Sequence, residues 1–498
     1  MLTLAILLPL FASLALAVRP AWNETTARLI AMAASGLSLL MLVIVWMGFD
    51  TGTDAPAFQA VGELQWIPTL GVAWRVGVDG MALAISLMSG LLFLCALAWP
   101  ADYKGRARQY YAWFLFLQGV SLGLFLTLDL LVFYVFFDLS LVGMYFLIGR
   151  WGHGDAEYAA LKFFIYTLAG SLAILLAILG LVLANDTLTF DMRELIAAQP
   201  LQGVDIRSSL VLLGFLVGFA IKTPLVPFHT WLPLAHVEAP GPASAILAGV
   251  LLKMGTYGIV RIPFSMMRET FAAYALPLAI VAVVSILWGA IVALGQTNLK
   301  RRIAYTSVNH MGYTVLGIAA AGAAIGGDAA RSLALNGAIT EMVAHGLITG
   351  ALFLMAGSFW QRTGTYELSA YGGLARVAPK LMIGFFLAAF ASFGLPALAG
   401  FVAEFQIFAG TFAIYPWLAA IGLIGILITA ALFLSMLQQI FFGELADQRQ
   451  GFADLNRTEV GFLALLLALV VLIGIYPGWL LAMIETGSAF LPLQGTEG

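Results

Sequence analysis

The chain has 498 residues, of which 62% are hydrophobic and only 10% charged, and its mean hydropathy is +0.99. A soluble globular domain is roughly half apolar and about a quarter charged, so this composition belongs to a polytopic membrane protein. Lys plus Arg number 23 against 26 Asp plus Glu, a net charge of −3 that gives no reason to expect nucleic acid or another polyanion as partner. The one cysteine, Cys95, excludes a disulfide framework, a cysteine-ligated iron–sulfur cluster and a zinc-finger site.

Met1–Val18 is apolar and ends in Leu14-Ala15-Leu16-Ala17, which resembles a signal-peptidase site. No Lys or Arg precedes Arg19, so the basic start of a secretory signal is missing. A retained first transmembrane helix is expected in preference to a cleaved leader.

Crossing ~30 Å of hydrocarbon takes roughly 20 apolar residues. Fourteen runs qualify, near 2–18, 29–48, 79–99, 110–127, 129–150, 158–184, 208–228, 242–262, 271–295, 303–325, 332–357, 379–410, 416–443 and 459–486. The fourth and fifth nearly touch at Asp129, which leaves thirteen as the alternative count. The longest polar stretches, Asp50–Val78 and Asn185–Arg207, read as loops, and Trp66 and Trp74 in the first suit a membrane–water interface. The fold expected is therefore all-α, a polytopic bundle of about 14 transmembrane helices.

Basic residues set orientation, because cytoplasmic loops accumulate Lys and Arg. Fifteen of them fall in or beside loops joining an odd run to the next even one, from Arg19 and Arg28 to Arg449 and Arg457; six, such as Arg75 and Arg193, fall on the opposite side. The richer side is expected to be cytoplasmic, with both termini facing the other way. Lys222 and Lys253 belong to neither set and lie inside apolar runs.

A charge near the bilayer centre costs at least ~2.5–3.5 kcal/mol on insertion scales and marks a functional position by default. Besides the two lysines, the candidates are Asp138 in the fifth run and Glu404 in the twelfth, with Glu341 and His345 one turn apart in the eleventh and His310 early in the tenth. Structural ion pairs would account for some of them. Both signs and two histidines on separate helices point instead to a charge-transfer path. Desolvation and neighbouring charge move acid and lysine proton affinities in opposite directions, and imidazole titrates near neutrality, so such a set suits protons.

Two of the runs carry helix breakers beside these charges. The seventh reads Lys222-Thr-Pro224-Leu-Val-Pro227-Phe-His229, and the twelfth reads Gly394-Leu-Pro396-Ala-Leu-Ala-Gly400 ahead of Glu404. Proline removes a helical hydrogen bond and clashes with the preceding turn. Discontinuous helices at corresponding places in two halves suggest inverted repeats around an ion path. The expected organisation is 1–109 as an N-terminal portion, 110–262 and 271–443 as two five-helix repeats with helices 7 and 12 broken, and 444–498 as a C-terminal helix.

The run Phe228-His-Thr-Trp-Leu-Pro-Leu-Ala-His236-Val-Glu-Ala-Pro240, then Ile246-Leu-Ala-Gly-Val-Leu-Leu-Lys253-Met-Gly-Thr-Tyr-Gly258, resembles the antiporter-like proton-channel family, in its respiratory NADH:quinone oxidoreductase (complex I) branch. Phe133-Tyr-Val-Phe-Phe-Asp138, Met144-Tyr-Phe-Leu-Ile-Gly149, Ala160-Leu-Lys162, Leu299–Gly312 and Gly394-Leu-Pro396 support the likeness, which runs from about Asp79 to Phe442. The resemblance implies a fifth-helix carboxylate at Asp138 paired with a broken-helix lysine at Lys222, a central lysine at Lys253, relay histidines at His310 and His345, and an exit-side acid at Glu404. It also implies that the chain itself holds no cofactor or metal, while NADH, FMN, iron–sulfur clusters and quinone are used in other subunits of the complex. Partners would be other membrane-arm subunits, including two related antiporter-like ones, and the lipid bilayer.

Three positions depart from the family pattern. Asp138 stands where Glu is usual, Glu341 where an uncharged residue is expected, and Leu234 where an acidic residue is common. Glu341 adds a possible relay carboxylate. A subunit of a multisubunit cation/proton antiporter or a membrane-bound hydrogenase would share the same lysines and broken helices. A non-pumping scaffold would instead tolerate neutral residues at the charged positions.

Overall fold

The computed structural model describes residues 1–19, 22–52, 54–445 and 449–488. The last ten residues of the expected C-terminal portion lie outside them. In lipid every backbone group must find its partner within the protein, which leaves helices as the default for apolar runs. Each of the fourteen runs is helical over most of its length; the seventh and twelfth are interrupted, and the last, expected as one C-terminal helix, is two helices parted at Tyr476-Pro477.

The order begins with α1 (Leu2–Val18) and α2 (Glu24–Met47), then strands β1 (Gln59–Ile67) and β2 (Val72–Val78). Next come α3 (Gly80–Ala98), α4 (Ala107–Leu126), α5 (Leu130–Trp151), α6 (Ala156–Val182), the short α7 (Met192–Ala198), α8 (Ile206–Lys222) and α9 (Leu232–Glu238). A continuous span follows from α10 (Gly241–Ile246) through a π turn to α11 (Leu252–Ile259) and a second π turn. Then come α12 (Arg268–Leu294), α13 (Leu299–Ala321), α14 (Asp328–Thr363), α15 (Pro379–Ser392), α16 (Ala399–Ile414), α17 (Pro416–Phe441), α18 (Arg457–Ile475) and α19 (Gly478–Ser488). Nine of these spans, among the described residues, are long and apolar enough to cross a membrane alone.

The stretch 50–78 is not a plain loop. It folds into an antiparallel hairpin with irregular register at two places, and the second polar stretch contains α7. Strand β2 buries both its faces while β1 stays largely exposed, so the alternation expected of a half-buried strand is absent. Trp66 is exposed, whereas Trp74 donates from Nε1 to Thr3 Oγ1 at 3.1 Å and packs edge-on to Phe136.

Asp129 ends the ambiguity between the fourth and fifth runs. It is the N-cap of α5, its Oδ1 accepting from the backbone of Leu131 and Val132. Its other oxygen takes Arg75 Nη1 at 2.8 Å, and Arg75 Nε also reaches Asp191 at 3.3 Å and Glu63 at 3.1 Å. Arg193 closes the network on Asp191 and Glu63. The hairpin, α5 and α7 are thereby tied together at one end of the bundle.

Helices α3, α10–α11 and α14 are enclosed along nearly all their length, whereas α2, α17 and α18 present apolar faces outward. Glycines let the enclosed helices touch. A Cβ on Gly241 would meet Gly357 Cα at 2.5 Å, and one on Gly346 would meet Met88 Sδ at 2.5 Å and Gly249 O at 3.0 Å. Small residues at crossings are what permit such backbone approach in membranes.

Loops of the two charge classes lie on separate faces. On the basic face, Lys104 Nζ donates to Gly152 O, His153 N to Glu238 O, and Lys300 Nζ to Ala239 O. There His153 stacks on Trp360 with ring centroids 4.2 Å apart. Burial, with the Lys300 and Lys104 cations beside it, pushes its imidazole down to about 3, so this loop histidine stays neutral.

Replacing Arg75 by Met strands the buried carboxylate of Asp129 and leaves Asp191 to Arg193 alone. Breaking a buried pair by removing one partner costs about 3–5 kcal/mol. Chemical denaturation in detergent is expected to show a loss of that order, against little change for Arg207→Met on the same face; equal effects would contradict the network's role.

Candidate functional site

Lys222 is the last residue of α8, where Pro224 and Pro227 stop the ladder. The chain closes the break with Leu225 N bonded to Ala220 O at 2.8 Å. The buried Lys222 Nζ donates to Ser140 Oγ on α5 at 3.1 Å and lies 5.1 Å from the Phe137 ring centre. Asp138, half-buried two residues before Ser140, makes no salt bridge to it; one carboxylate oxygen, Oδ1, is buried without a hydrogen-bond partner. The expected Asp138–Lys222 pair is thus held apart, with a serine hydroxyl holding the ammonium. Tyr134, one turn earlier, places its hydroxyl beside Asp138 and Ser171.

The second break repeats the first. Helix α15 ends at Ser392, and Leu395 N bonds to Phe390 O at 3.0 Å. Ser392 Oγ meets His310 Nε2 of α13 at 3.1 Å. The Ser140–Lys222 and His310–Ser392 contacts both join residues 82 apart in sequence. The two broken helices therefore present their terminal side chains to the corresponding points of α5 and α13.

Between the breaks lies the central group. Lys253, fully buried on α11, bonds through Nζ to His345 Nδ1 at 2.6 Å and to Ala248 O at 2.7 Å. The second contact reaches back into the π turn 247–251, whose wider hydrogen bonding is a frequent mark of functional sites. His345 and His310 follow with ring centroids 5.4 Å apart. His310 Nδ1 stands 3.6 Å from Glu341 Oε1, and Glu341 shares a helix face with His345 one turn on. Glu404, buried on α16, lies within electrostatic range of Glu341 and under the second break, where a Cβ on Gly394 would meet its Oε2 at 2.3 Å.

The seven candidate residues therefore fall into two groups. Lys253 is bonded to His345, His310 and Glu341 follow close by with His345 Nε2 and His310 Nδ1 unpartnered, and Glu404 lies within electrostatic range of Glu341. Asp138 and Lys222 form a separate pair of neighbours. Thr223 lies between the groups: its Oγ1 is buried without a partner, and a Cβ on Gly255 of the Lys253 helix would meet it at 2.3 Å.

Several polar groups at the site escape the sequence reading. Ser140 and Ser392 hold the ends of the broken helices, and no pattern distinguishes them from other membrane serines. His236 lies in the quoted motif yet carries no expected role. It is fully buried on α9, stacked on Phe353 at 4.4 Å with both ring nitrogens unpartnered. Tyr313 lies 5.5 Å from His310, and Asn309 donates to Thr429 Oγ1 at 2.5 Å. Both leave an oxygen unpartnered beside Gly425.

A helical membrane bundle with buried charges of both signs at two matched breaks is an ion-translocating type of protein. The chain belongs to the NADH:quinone oxidoreductase/Mrp antiporter transmembrane family, whose model matches residues 127–429. It is 36% identical to a NAD(P)H-quinone oxidoreductase chain 4 of Nostoc sp., covering 96% of this chain and 88% of the relative. Against a chain 4 of Thermosynechococcus vestitus the identity is 37%, with 96% and 89% covered. In structure it is similar to a chain of respiratory complex I from Thermus thermophilus, with TM-score 0.88, 31% identity, and 99% and 100% of the two chains covered. A chain of the Mrp complex from a Dietzia species shares the fold, with TM-score 0.85 at 23% identity over 98% and 97%.

Gly394 has φ +73°, a conformation that costs an L-residue roughly 1–2 kcal/mol, and its missing Cβ makes room for Glu404. Gly394→Ala is expected to lower the melting temperature in detergent, whereas Gly461→Ala, in open space, leaves it unchanged or higher. Equal behaviour of the two variants would contradict the packing described.

Proposed function

We propose that the chain is the M-type, antiporter-like membrane-arm subunit of a respiratory NAD(P)H:quinone oxidoreductase. On this reading it moves protons along its buried acid–lysine–histidine relay while quinone is reduced elsewhere in the complex. The observation that carries the proposal is the close succession of Lys253, bonded to His345 at 2.6 Å, His310 with its ring 5.4 Å from that of His345, and Glu341 at 3.6 Å from His310. A lysine, two imidazoles and a carboxylate at these separations can pass a proton by small changes of spacing and hydration, since each group's affinity depends on its neighbour's charge.

Asp138 and Lys222 form the entry element and Glu404 the exit, with Thr223 between the two lysines. The contact Lys222–Ser140 is one state of a switch: when Lys222 swings toward Asp138, the charge facing Lys253 changes. The matched breaks and the shared 82-residue spacing support 110–262 and 271–443 as inverted repeats, flanked by 1–109 and 444–498 in a bundle of fourteen transmembrane helices. The basic face is the cytoplasmic one and both termini face the opposite side, most simply in a bacterial inner membrane. NADH, FMN, iron–sulfur clusters and quinone belong to other subunits, two of which are related antiporter-like chains.

A cation/proton antiporter subunit is the second reading, supported by the fold shared with an Mrp chain. Vesicles carrying the whole complex separate the two. With Lys222→Ala, assembly is expected to persist while NADH-driven acidification falls at least about tenfold, the effect of ~1.4 kcal/mol or more at one step. If acidification is untouched and sodium/proton exchange disappears, the antiporter reading replaces this one. If neither changes, the buried charges are structural.

A further inference from the structure

A groove of about 570 Å³ lies between α1, α4 and α5 and contains none of the relay residues in its lining. Its upper rim carries Arg108, the second residue of α4, and Arg150, the penultimate residue of α5. Both helix ends belong to the basic face. Arg108 Nη1 donates to Leu16 O at 2.8 Å and Ala17 O at 3.0 Å at the end of α1, and Arg150 Nη1 donates to Gln109 Oε1 at 3.3 Å. Neither guanidinium has a carboxylate within salt-bridge distance among the described residues, so two positive charges without an acidic partner flank Gln109 at the groove mouth.

Below the arginines the groove is apolar. Arg150 lies 5.1 Å from the Phe146 ring centre, Phe146 stacks on Trp113 at 4.4 Å, and Trp113 meets Phe116 edge-on at 5.5 Å. Phe116 and Val142 each lie eight residues into the helix from their arginine, about 12 Å deeper at 1.5 Å per residue. Leu10 and the exposed Leu14 of α1 form the facing wall. Charge at one end and aromatic and aliphatic surface along the rest is the polarity profile of a phospholipid oriented as in the bilayer leaflet.

We propose that this groove is a binding site for an anionic phospholipid, its phosphate between Arg108 and Arg150 and one acyl chain along Trp113, Phe116 and Val142. Basic pockets between transmembrane helices on the cytoplasmic side select acidic headgroups, and the arginine fork suits phosphate oxygens. A zwitterionic lipid offers the same phosphate, but its headgroup ammonium adds a positive charge beside the two guanidinium groups, so the site favours a headgroup of net negative charge. A bound lipid here braces α1 and α4 against α5, the helix that carries Asp138 and Ser140.

The test uses the intact complex in phosphatidylcholine vesicles, with brominated acyl chains on either phosphatidylcholine or phosphatidylglycerol. Bromine quenches tryptophan on contact, and the Trp113 contribution is the difference from Trp113→Phe. Brominated phosphatidylglycerol is expected to quench Trp113 at a much lower mole fraction than brominated phosphatidylcholine. Arg108→Gln and Arg150→Gln should each reduce that preference on the order of fivefold, while Arg108→Lys and Arg150→Lys retain most of it. Val142→Trp, which fills the trough without touching a charge, should abolish the Trp113 signal from both lipids and keeps the question open to test if the arginine variants do not assemble. Equal quenching by the two lipids would mean an ordinary lipid annulus. No quenching by either would mean that another subunit covers the groove. Either result overturns the proposal.

Discussion

The structure depends on one constraint: Lys253 is enclosed by protein at membrane depth, where an unpaired ammonium is expensive. It is held by one imidazole nitrogen and one backbone carbonyl, and both follow from how three enclosed helices meet. The π turn supplies the Ala248 carbonyl. The glycine crossings at Gly241, Gly249, Gly346 and Gly357 bring α14 close enough for His345 to reach. His345 in turn places His310 and Glu341 within reach, so the remainder of the relay is built outward from the lysine.

Two broken helices serve this centre in the same manner. A continuous helix consumes its own hydrogen-bonding groups and aims side chains sideways. At its end it frees polar groups and can present a side chain along its axis. Lys222 and Ser392 occupy such ends, facing Ser140 and His310. The two sites differ in chemistry: the first carries an ammonium against a hydroxyl, the second a hydroxyl against an imidazole. The titratable group is therefore on the broken helix at the first break and on its neighbour at the second.

Much of this was legible in the sequence. All fourteen apolar runs are helical over most of their length, since in lipid a long apolar segment has few alternatives. The prolines at 224, 227 and 396 foretold both breaks, and insertion cost alone singled out Asp138, Lys222, Lys253 and Glu404. What stayed hidden depends on contacts between distant segments. The β1–β2 hairpin has irregular register and no clean alternation, and it is stabilised by Arg75 reaching Asp129 and Asp191 from three segments at once. The separation of Asp138 from Lys222 turns on which of two neighbouring α5 side chains faces α8. Ser140 and Ser392 carry no signal until the helices are placed, and the same holds for the groove under Arg108 and Arg150.

On the proposed function, Lys253 and Glu404 belong to one path in series. The direct measurement is the number of protons moved per NADH oxidised in vesicles bearing the wild-type complex, Lys253→Met and Glu404→Gln. A series path predicts that both variants lose the same increment, this subunit's full share, and that combining them loses no more. Unequal losses that add in the double variant, or an unchanged ratio in either single one, would contradict it.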